Sequence, residues 1–321
     1  MQQSDTPMNG PCVTVLLCAD GPYFQHAGVT IASMLRANPA RQFRIFVCSQ
    51  KREPAAEGKL CTVAQRFGNA AMEFVEFSLE PFRNSLHADR TFTIAVYLRL
   101  FLTEFLDRSV EKVLYLDCDV VVRGDLEALW QTDLGEAMVA AVPEPSIFYH
   151  AGFGPESPYF NSGVMLIDVA RWRSANILPE FVQYARENPR LEFVDQDILN
   201  QTLRGKFKPL DYRWNFFSIY PDLPASAFHM NTAEFEEVRR RPSIIHFVSI
   251  YKPWFYRWEP HYKKLYSEAL AFTPWRGYRP PDRTAKSIVL KTIKMKRLKE
   301  RLSWHAPGLA RGLRQVLGIK T

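Results

Sequence analysis

Short apolar segments alternate with longer segments of helical periodicity along most of the chain. The short segments have the length and composition of buried strands. They are Val13–Cys18, Phe43–Cys48, Met72–Phe77, Val113–Leu116, Ala137–Val142 and Ile244–Phe247. The predicted helices are Phe24–Ala37, Pro54–Phe67, Thr91–Phe105, Leu126–Trp130, Ala170–Ala175, Pro179–Glu187 and Asp195–Leu203. This alternation predicts an α/β domain whose sheet is parallel and built from right-handed crossovers. Residues 143–158, rich in Pro, Gly and aromatic residues, form a predicted loop.

Two acidic residues end the apolar segment Val113–Leu116. They are Asp117 and Asp119, with Cys118 between them. Residues two apart in an extended chain point the same way, and ligands bind at the carboxyl ends of strands in open α/β sheets. The pair can therefore converge on a divalent ion. The alternative is that it caps a turn or a helix start.

Polar residues near other strand and helix ends are further candidates. Asp20 follows the first strand, where a nucleobase could lie and Tyr23 could stack on it; alternatively, Asp20 is a turn residue. Arg99 lies in a strongly apolar predicted helix, so it needs either a phosphate or an acidic partner such as Asp117 or Asp119.

His246 ends a predicted strand and precedes Lys252 by six residues. With two carboxylates, its imidazole could complete a metal site that suits Mn²⁺, while Lys252 balances phosphate charge. The polar cluster Asp195, Gln196 and Asp197 opens a predicted helix. Taken alone, that cluster is best explained as a helix N-terminal cap, with acidic residues in the first turn that the helix dipole favours.

Composition limits the class of protein. The chain has 321 residues, 47% of them hydrophobic, which suffices for one large α/β domain or two small ones. It contains no run of about 18 apolar residues, and its polar first residues predict no secretory signal. The five cysteines form no CxxC pair, so reduced thiols are expected.

The positive charge is concentrated at the end of the chain. Residues 286–321 carry ten Lys/Arg and one Glu, a charge of +9 against +7 for the whole chain, so the remainder is about −2. This distribution argues against nucleic-acid binding by the main domain. Residues 281–321 read as basic amphipathic helices with Trp304, which suits an anionic membrane surface. The alternative is a terminal helix pair that packs on the domain.

Seven short motifs, in order, resemble glycosyltransferase family 8, the retaining group that includes bacterial lipopolysaccharide galactosyl- and glucosyltransferases. No phosphate loop, GxSxG elbow or HExxH motif competes with this interpretation. The motifs cover about residues 12 to 260. They are Leu-Leu-Cys-Ala-Asp, Val-Tyr-Leu-Arg-Leu, Leu-Tyr-Leu-Asp-Cys-Asp-Val, Tyr-Phe-Asn-Ser-Gly-Val-Met-Leu-Ile-Asp, Asp-Gln-Asp-Ile-Leu-Asn, Leu-Asp-Tyr-Arg-Trp-Asn and His-Phe-Val-Ser-Ile-Tyr-Lys-Pro-Trp.

The resemblance implies a GT-A fold, a Rossmann-like mixed sheet flanked by helices, which we place at residues 1–280. Residues 281–321, from their charge and amphipathic pattern, are placed apart as a membrane-surface tail. The resemblance also implies a UDP-sugar donor and Mn²⁺, with Mg²⁺ as the alternative, held by Asp117, Asp119 and His246. The implied substrate-binding residues are Ala19, Asp20 and Tyr23 for uridine, Lys252 for diphosphate, and Arg99, Asn161 and Asp195 for the sugar. Gln196 matches the position beside the anomeric carbon, and we assign catalysis to Gln196 and Asp195. We also place Cys118 and Asp197, which lie beside these positions, with the substrate-binding residues.

The sequence departs from the family pattern at two points. Ser249 stands where the family usually has Gly, next to the diphosphate, and Gly21-Pro22 follow Asp20 where a polar residue often contacts the nucleotide. We expect a hexosyltransferase acting on lipopolysaccharide core or another lipid-linked glycan, in the cytoplasm on the inner face of the cytoplasmic membrane, without nucleic acid. The alternatives are a metal-dependent nucleotide-sugar hydrolase or nucleotidyltransferase, and a non-enzymatic membrane-associated binding module.

Overall fold

A computed structural model describes residues 12–86, 94–148, 150, 152–285 and 287–288. The strands in this part of the chain are β1 (Cys12–Cys18), β2 (Gln42–Ser49), β3 (Ala70–Glu76), β4 (Lys112–Leu116), β5 (Val120–Val122), β6 (Val139–Pro143), β7 (Phe160–Asp168), β8 (Phe207–Pro209), β9 (Phe216–Phe217) and β10 (Ile244–His246). The α-helices are α1 (Tyr23–Ala37), α2 (Pro54–Phe67), α3 (Leu102–Phe105), α4 (Glu127–Trp130), α5 (Val169–Ser174), α6 (Leu178–Glu187), α7 (Val194–Thr202), α8 (Thr232–Arg240) and α9 (Lys263–Leu270).

A seven-stranded sheet in the order β3-β2-β1-β4-β7-β6-β8 forms the centre of the fold. Side chains of β4 alternate between two apolar clusters: Leu114 and Leu116 pack in one with α1, Val113 and Tyr115 in the other. This alternation is why β4 reads as a continuous apolar run: both faces of the strand are buried.

A smaller sheet, β5-β10-β9, lies beside the large one and carries His246 at the end of β10. Its strand β5 follows β4 after three residues. Thr30 of α1 donates a hydrogen bond to the carbonyl oxygens of Cys118 (3.0 Å) and Val120 (2.8 Å). Helix α1 therefore fixes the segment that joins the two sheets.

The predicted mixed sheet is confirmed, whereas the parallel arrangement that the alternating pattern predicts holds for the first four strands of the large sheet but not for β7. β1 pairs in parallel with β2 and β4, and β2 with β3, as the alternating pattern predicts. β7, for which the pattern predicted no element, pairs antiparallel with β4 and β6, so the sheet is mixed, as the family resemblance implies. β7 is buried on both faces because it lies inside the sheet, and it carries polar residues (Asn161, Ser162) in its first half and apolar ones in its second, so it shows no alternation of apolar and polar positions.

The predicted helix Thr91–Phe105 is a 3₁₀ helix at Ile94–Phe101 followed by the short α3; residues 91–93 lie outside the described part. Aromatic and β-branched residues, which disfavour a regular α-helix, make up half of the 3₁₀ segment. The segment carries Arg99, which is buried.

Two compact units divide the chain. The first contains residues up to 248 with 261–276, and the second contains 249–260 with the residues from 277 onward. Within the second unit, Asp282 accepts hydrogen bonds from the backbone N–H groups of Tyr256 (2.7 Å) and Arg257 (2.9 Å). The proposed boundary between 1–280 and 281–321 stays a prediction, and most of 281–321 lies outside the described residues. No helix in the described part is long and apolar enough to cross a membrane.

Candidate active site

Two carboxylates and an imidazole meet where the large and small sheets join. Asp117 directly follows β4 and Asp119 directly precedes β5, while His246 ends β10. One ligand atom from each of these side chains lies within 4.8 Å of the other two. The His246 Nε2 atom is 3.1 Å from Asp119 Oδ1 and 3.7 Å from Asp117 Oδ2. The predicted convergence of the acidic pair on His246 is therefore present.

Asparagine side chains set the orientation of the His246 ring. His246 Nδ1 lies 3.0 Å from Asn215 Oδ1, and Asn215 Nδ2 donates to Asn161 Oδ1 at 2.8 Å. Because Asn215 presents its oxygen to the ring, Nδ1 donates this hydrogen bond, and Nε2 faces the two carboxylates. With Nδ1 held by Asn215, Nε2 is the ring nitrogen that a metal ion in this cluster would contact.

Gly163 provides the space for this cluster. A Cβ atom at position 163 would lie 2.2 Å from His246 Cε1 and 2.7 Å from Asp117 Oδ2. The backbone carbonyl of Gly163 also accepts a hydrogen bond from the Asp117 N–H at 2.8 Å. An O,O,N donor set with close backbone support fits a divalent cation such as Mn²⁺.

Arg99 connects the metal-site carboxylate to the start of α7. Its guanidinium pairs with Asp117 at 2.8 Å and Asp195 at 3.2 Å, and lies 4.4 Å from the centre of the Tyr115 ring. It also donates to the Ser162 carbonyl at 3.1 Å. Of the two explanations for Arg99, the ion pair with a neighbouring acid is therefore present, and the partner is Asp117 rather than Asp119.

Asp195 is a buried carboxylate with a perturbed pKa. Burial raises the pKa of Asp195 to about 6, which shows that the cost of removing the charge from water outweighs the favourable charge of Arg99. The nearby charge of Asp117 also raises this pKa. The Asp195 carboxyl therefore takes up a proton more readily than that of an exposed aspartate.

The carboxamide of Gln196 has one defined orientation. Its Oε1 accepts from Asn161 Nδ2 (2.7 Å) and the Ser162 N–H (3.0 Å), and its Nε2 donates to Glu144 Oε1 (3.2 Å). If the amide were flipped, its NH₂ group would face two other donors, Asn161 Nδ2 and the Ser162 N–H, and its oxygen would face the Glu144 carboxylate. Gln196, Asn161, Asn215 and His246 thus form a continuous chain of hydrogen bonds, here called the amide relay.

The first turn of α7 has an unusual backbone. Val194, immediately before Asp195, has a φ of 39°, a region that β-branched residues rarely occupy and that costs about 1–2 kcal/mol. Asp197, placed among the substrate-binding residues, accepts hydrogen bonds from the Tyr159 hydroxyl (2.6 Å) and the Phe193 N–H (2.8 Å). Its carboxylate therefore holds the start of the helix, and a role in binding substrate stays a prediction.

The predicted uridine-binding residues lie at the carboxyl end of β1. Ala19 is buried, and its N–H donates to the Cys48 carbonyl at 2.9 Å. Asp20 accepts from the backbone N–H (2.9 Å) and side-chain amide (3.0 Å) of Gln50. Tyr23 is 42% exposed; partial burial, and then the charge of Asp119, raise its pKa to about 12. Tyr23 and the acidic pair therefore share one electrostatic environment.

Three predicted residues need separate comment. Cys118 is buried and its thiol donates to the Cys18 carbonyl at 3.2 Å, so its side chain is part of the interior. Lys252 belongs to the second unit, where its ammonium lies 5.7 Å from the centre of the Trp254 ring. Ser249, also in the second unit, has a φ of 64°, the left-handed region that favours glycine. The roles assigned to these three residues stay predictions.

Sequence reasoning missed several residues that hold the site together. The family motifs contain three of these residues, Asn215, Ser162 and Gly163. The motifs therefore pointed to them but gave them no role in the site. Glu144 and His150 gave no signal, because they come from an irregular loop and reach Gln196 only through the tertiary fold.

Comparisons with known proteins show the family to which the chain belongs. Residues 14–257 match the sequence model of a family described as Glycosyl transferase family 8. General stress protein A of Bacillus subtilis is 28% identical over 81% of this chain and 94% of its own length. Lipopolysaccharide 1,2-glucosyltransferase of Escherichia coli is 26% identical over 87% of this chain and 82% of its own. The crystal structure of galactosyltransferase LgtC with donor and acceptor sugar analogues is 26% identical, with a TM-score of 0.70 over 83% of this chain and 99% of that one.

Proposed function

Because the chain belongs to glycosyltransferase family 8, and is therefore a transferase with a GT-A fold, we propose that it moves glucose or galactose from a UDP-sugar to a glycan acceptor with retention of configuration. The observation that carries this proposal is the convergence of Asp117, Asp119 and a His246 ring that Asn215 holds in place. Mn²⁺ is the proposed ion, with Mg²⁺ as the alternative. When bound, it would neutralise charge on the leaving diphosphate.

Side chains around the cluster would orient the donor. Arg99, Asn161 and Asp195 are the proposed sugar contacts, and Asp20 and Tyr23 the proposed uridine contacts. The amide relay supports the assignment of Asn161, because it ties Asn161 both to Gln196 and, through Asn215, to His246. Donor and metal would therefore be positioned by one hydrogen-bonded framework.

Attack on the front face of the sugar is the favoured route to retention. Gln196 is a poor nucleophile as an amide, and its oxygen already accepts two hydrogen bonds. Asp195 and Asp197 are the alternative nucleophiles, but Asp195 is paired with Arg99 at 3.2 Å, and Asp197 accepts hydrogen bonds from the Tyr159 hydroxyl and the Phe193 N–H. Both observations favour a mechanism in which the amide and the carboxylate steady the sugar without bonding to it.

A lipid-linked glycan, such as lipopolysaccharide core, is the proposed acceptor. The basic segment 286–321 supports this choice, since it suits an anionic membrane surface. We therefore propose a cytoplasmic protein bound peripherally to the inner face of the cytoplasmic membrane. The named relatives include both a glucosyltransferase and a galactosyltransferase, so both donors belong in the first assay.

Replacement of Asp119 by Ala tests the metal assignment. Purified protein is incubated with UDP-glucose or UDP-galactose, with Mn²⁺ or EDTA, and UDP release is measured with and without glycan acceptors. We expect Asp119→Ala to lower turnover at least about a hundredfold, because a metal ligand that stabilises the leaving group is lost. Glu136→Ala, an exposed acid, is the matched control and should behave as wild type.

Two outcomes would contradict the proposal. Activity of Asp119→Ala within twofold of wild type would remove Asp119 from the metal site. Equal UDP release with and without every acceptor tested would favour the nucleotide-sugar hydrolase instead.

A further inference from the structure

His150 contacts the Glu144 carboxylate, which in turn holds the side chain of Gln196. None of the seven family motifs contains His150. Its Nε2 atom is 2.9 Å from Glu144 Oε2, and both side chains are about 90% buried, with 10% and 11% of their area exposed. An ionised carboxylate only accepts, so His150 donates from Nε2. The other oxygen of the same carboxylate, Oε1, accepts from Gln196 Nε2 at 3.2 Å. Glu144 therefore joins His150 directly to Gln196.

A second route connects His150 to the same turn of α7. The His150 ring stacks on Tyr159, with ring centres 3.7 Å apart and planes 11° from parallel. The Tyr159 hydroxyl donates to Asp197 Oδ1 at 2.6 Å. His150 thus supports two consecutive residues, Gln196 through a carboxylate and Asp197 through an aromatic ring.

The loop that carries His150 is closed at its ends by the backbone. The Glu144 N–H donates to the Tyr159 carbonyl at 2.8 Å, directly beside the His150 stack. Glu144 is therefore fixed at its main chain by Tyr159, the residue before β7, and at its carboxylate by His150. Without the His150 bond, one carboxylate oxygen would lose its partner, and the bond from Gln196 would lose a defined acceptor.

We propose that His150 is a positioning residue for the transfer reaction, which acts through Glu144 to hold the Gln196 carboxamide in its single orientation. The expected effect on catalysis rests on the proposed function. The orientation of the amide itself is a property of the protein and is measurable without a donor sugar.

A matched pair of variants separates the hydrogen bond from the stacking. His150→Phe keeps an aromatic ring on Tyr159 and removes the bond to Glu144. His150→Gln restores an N–H donor near the position of Nε2 and removes the ring. If the bond to Glu144 is what matters, His150→Gln should resemble wild type and His150→Phe should not.

The first measurement is independent of catalysis. Protein labelled with ¹⁵N-glutamine gives a side-chain NH₂ pair for Gln196, assigned by its absence in Gln196→Glu. We expect this pair to move in His150→Phe and to return toward its wild-type position in His150→Gln. An unchanged Gln196 pair in His150→Phe would overturn the proposal, whatever the activity of the enzyme.

Kinetics provide the second measurement. We expect His150→Phe to lower kcat about five- to tenfold, the effect of one lost hydrogen bond, with the KM for the UDP-sugar within about twofold of wild type. His150→Gln should recover most of the loss, and both variants should unfold thermally near the wild-type temperature. A rise in KM alone, or equal losses in both variants, would contradict a positioning role. Failure of the wild-type protein to turn over any UDP-sugar would instead count against the proposed function, while the NH₂ measurement would still decide on His150.

Discussion

Individual contacts in the site are short because one residue has no side chain. The missing Cβ of Gly163 lets His246 and Asp117 approach the backbone of β7. The need is steric and not conformational, since Gly163 lies in a regular strand. A glycine in a strand interior otherwise weakens the strand, so its presence here marks a close approach.

Replacing Gly163 by Ala should therefore disrupt the metal site. The added Cβ would lie 2.2 Å from His246 Cε1, a distance that only movement of the ring can relieve. We expect at least a tenfold loss of Mn²⁺ affinity, measured by titration calorimetry, and a larger loss of UDP-sugar turnover. Gly58→Ala, at a position in α2 with nothing within 4 Å, is the control and should leave both unchanged. Wild-type metal affinity in Gly163→Ala would contradict the location of the site.

The residue scale also shows where sequence reasoning reached its limit. The acidic pair, His246 and the cluster at Asp195 and Gln196 could be predicted, because strand ends, residue chemistry and family motifs point to them. Their fixed orientations could not be predicted, since these depend on Asn215 and Glu144, which are distant in sequence from the residues they hold. Hydrogen-bond direction is a tertiary property that no local pattern records.

At the scale of elements, α1 organises the junction between the two sheets. All of its residues from Phe24 to Leu35 are buried, including polar Thr30 and Ser33. Ser33 accepts a hydrogen bond from the Val122 N–H at 2.9 Å, next to the bonds that Thr30 donates. Polar residues on a buried helix face thus satisfy the backbone of the segment that carries both acids.

Thr30→Val tests this role, because valine has nearly the same shape and no hydroxyl. We expect a loss of about 1–2 kcal/mol in the free energy of unfolding, measured with urea, because the carbonyl groups of Cys118 and Val120 lose their donor. Mn²⁺ affinity should fall as well, since the segment between the acids is less restrained. Thr62→Val, on the exposed part of α2, removes a hydroxyl that bonds only to the preceding turn and should change neither quantity. Equal effects of the two substitutions would show that α1 does not restrain the acidic segment.

Strand order was the part of the fold that local pattern could not predict. The alternation of elements predicts β1, β2, β3 and β4 as parallel strands, and they are. β7 shows no alternation of apolar and polar residues, and the strands of the small sheet are only two or three residues long, so neither gives a local signal of strand direction. The family resemblance supplied the mixed sheet where the hydrophobic pattern did not.

The whole molecule combines a nearly neutral domain with a strongly basic end. Residues 286–321 carry a charge of +9, and attachment of this segment to a membrane is a proposal that follows from its sequence. Each Lys or Arg near an anionic surface contributes about 1 kcal/mol at physiological salt. Ten such residues in one segment are enough for salt-dependent binding.

Deletion of 286–321 should separate attachment from catalysis. We expect the shortened protein to release UDP from a soluble donor and acceptor at a rate within about twofold of the full chain. Its sedimentation with phosphatidylglycerol vesicles should fall more than tenfold, because the charges that attract it are gone. A full-length variant with the ten Lys/Arg changed to Gln, and vesicles of phosphatidylcholine alone, are the controls. Undiminished binding by the shortened protein would place the membrane contact elsewhere.

The amide relay has a further consequence, which concerns how this site can change over evolutionary time. In each amide of the relay, hydrogen bonds to neighbouring groups fix which side carries the oxygen and which the nitrogen. The chain of bonds starts at the Ser162 N–H and continues through Gln196, Asn161 and Asn215 to His246. A single-nucleotide change converts Asn to Asp. At Asn161 or Asn215, this change would replace the donating NH₂ group by a carboxylate oxygen, which would then face the oxygen of the neighbouring amide. Intermediates with one changed member would therefore be impaired. The relay residues should be inherited as a group, and a lineage that departs from one of them should show compensation at the adjoining one.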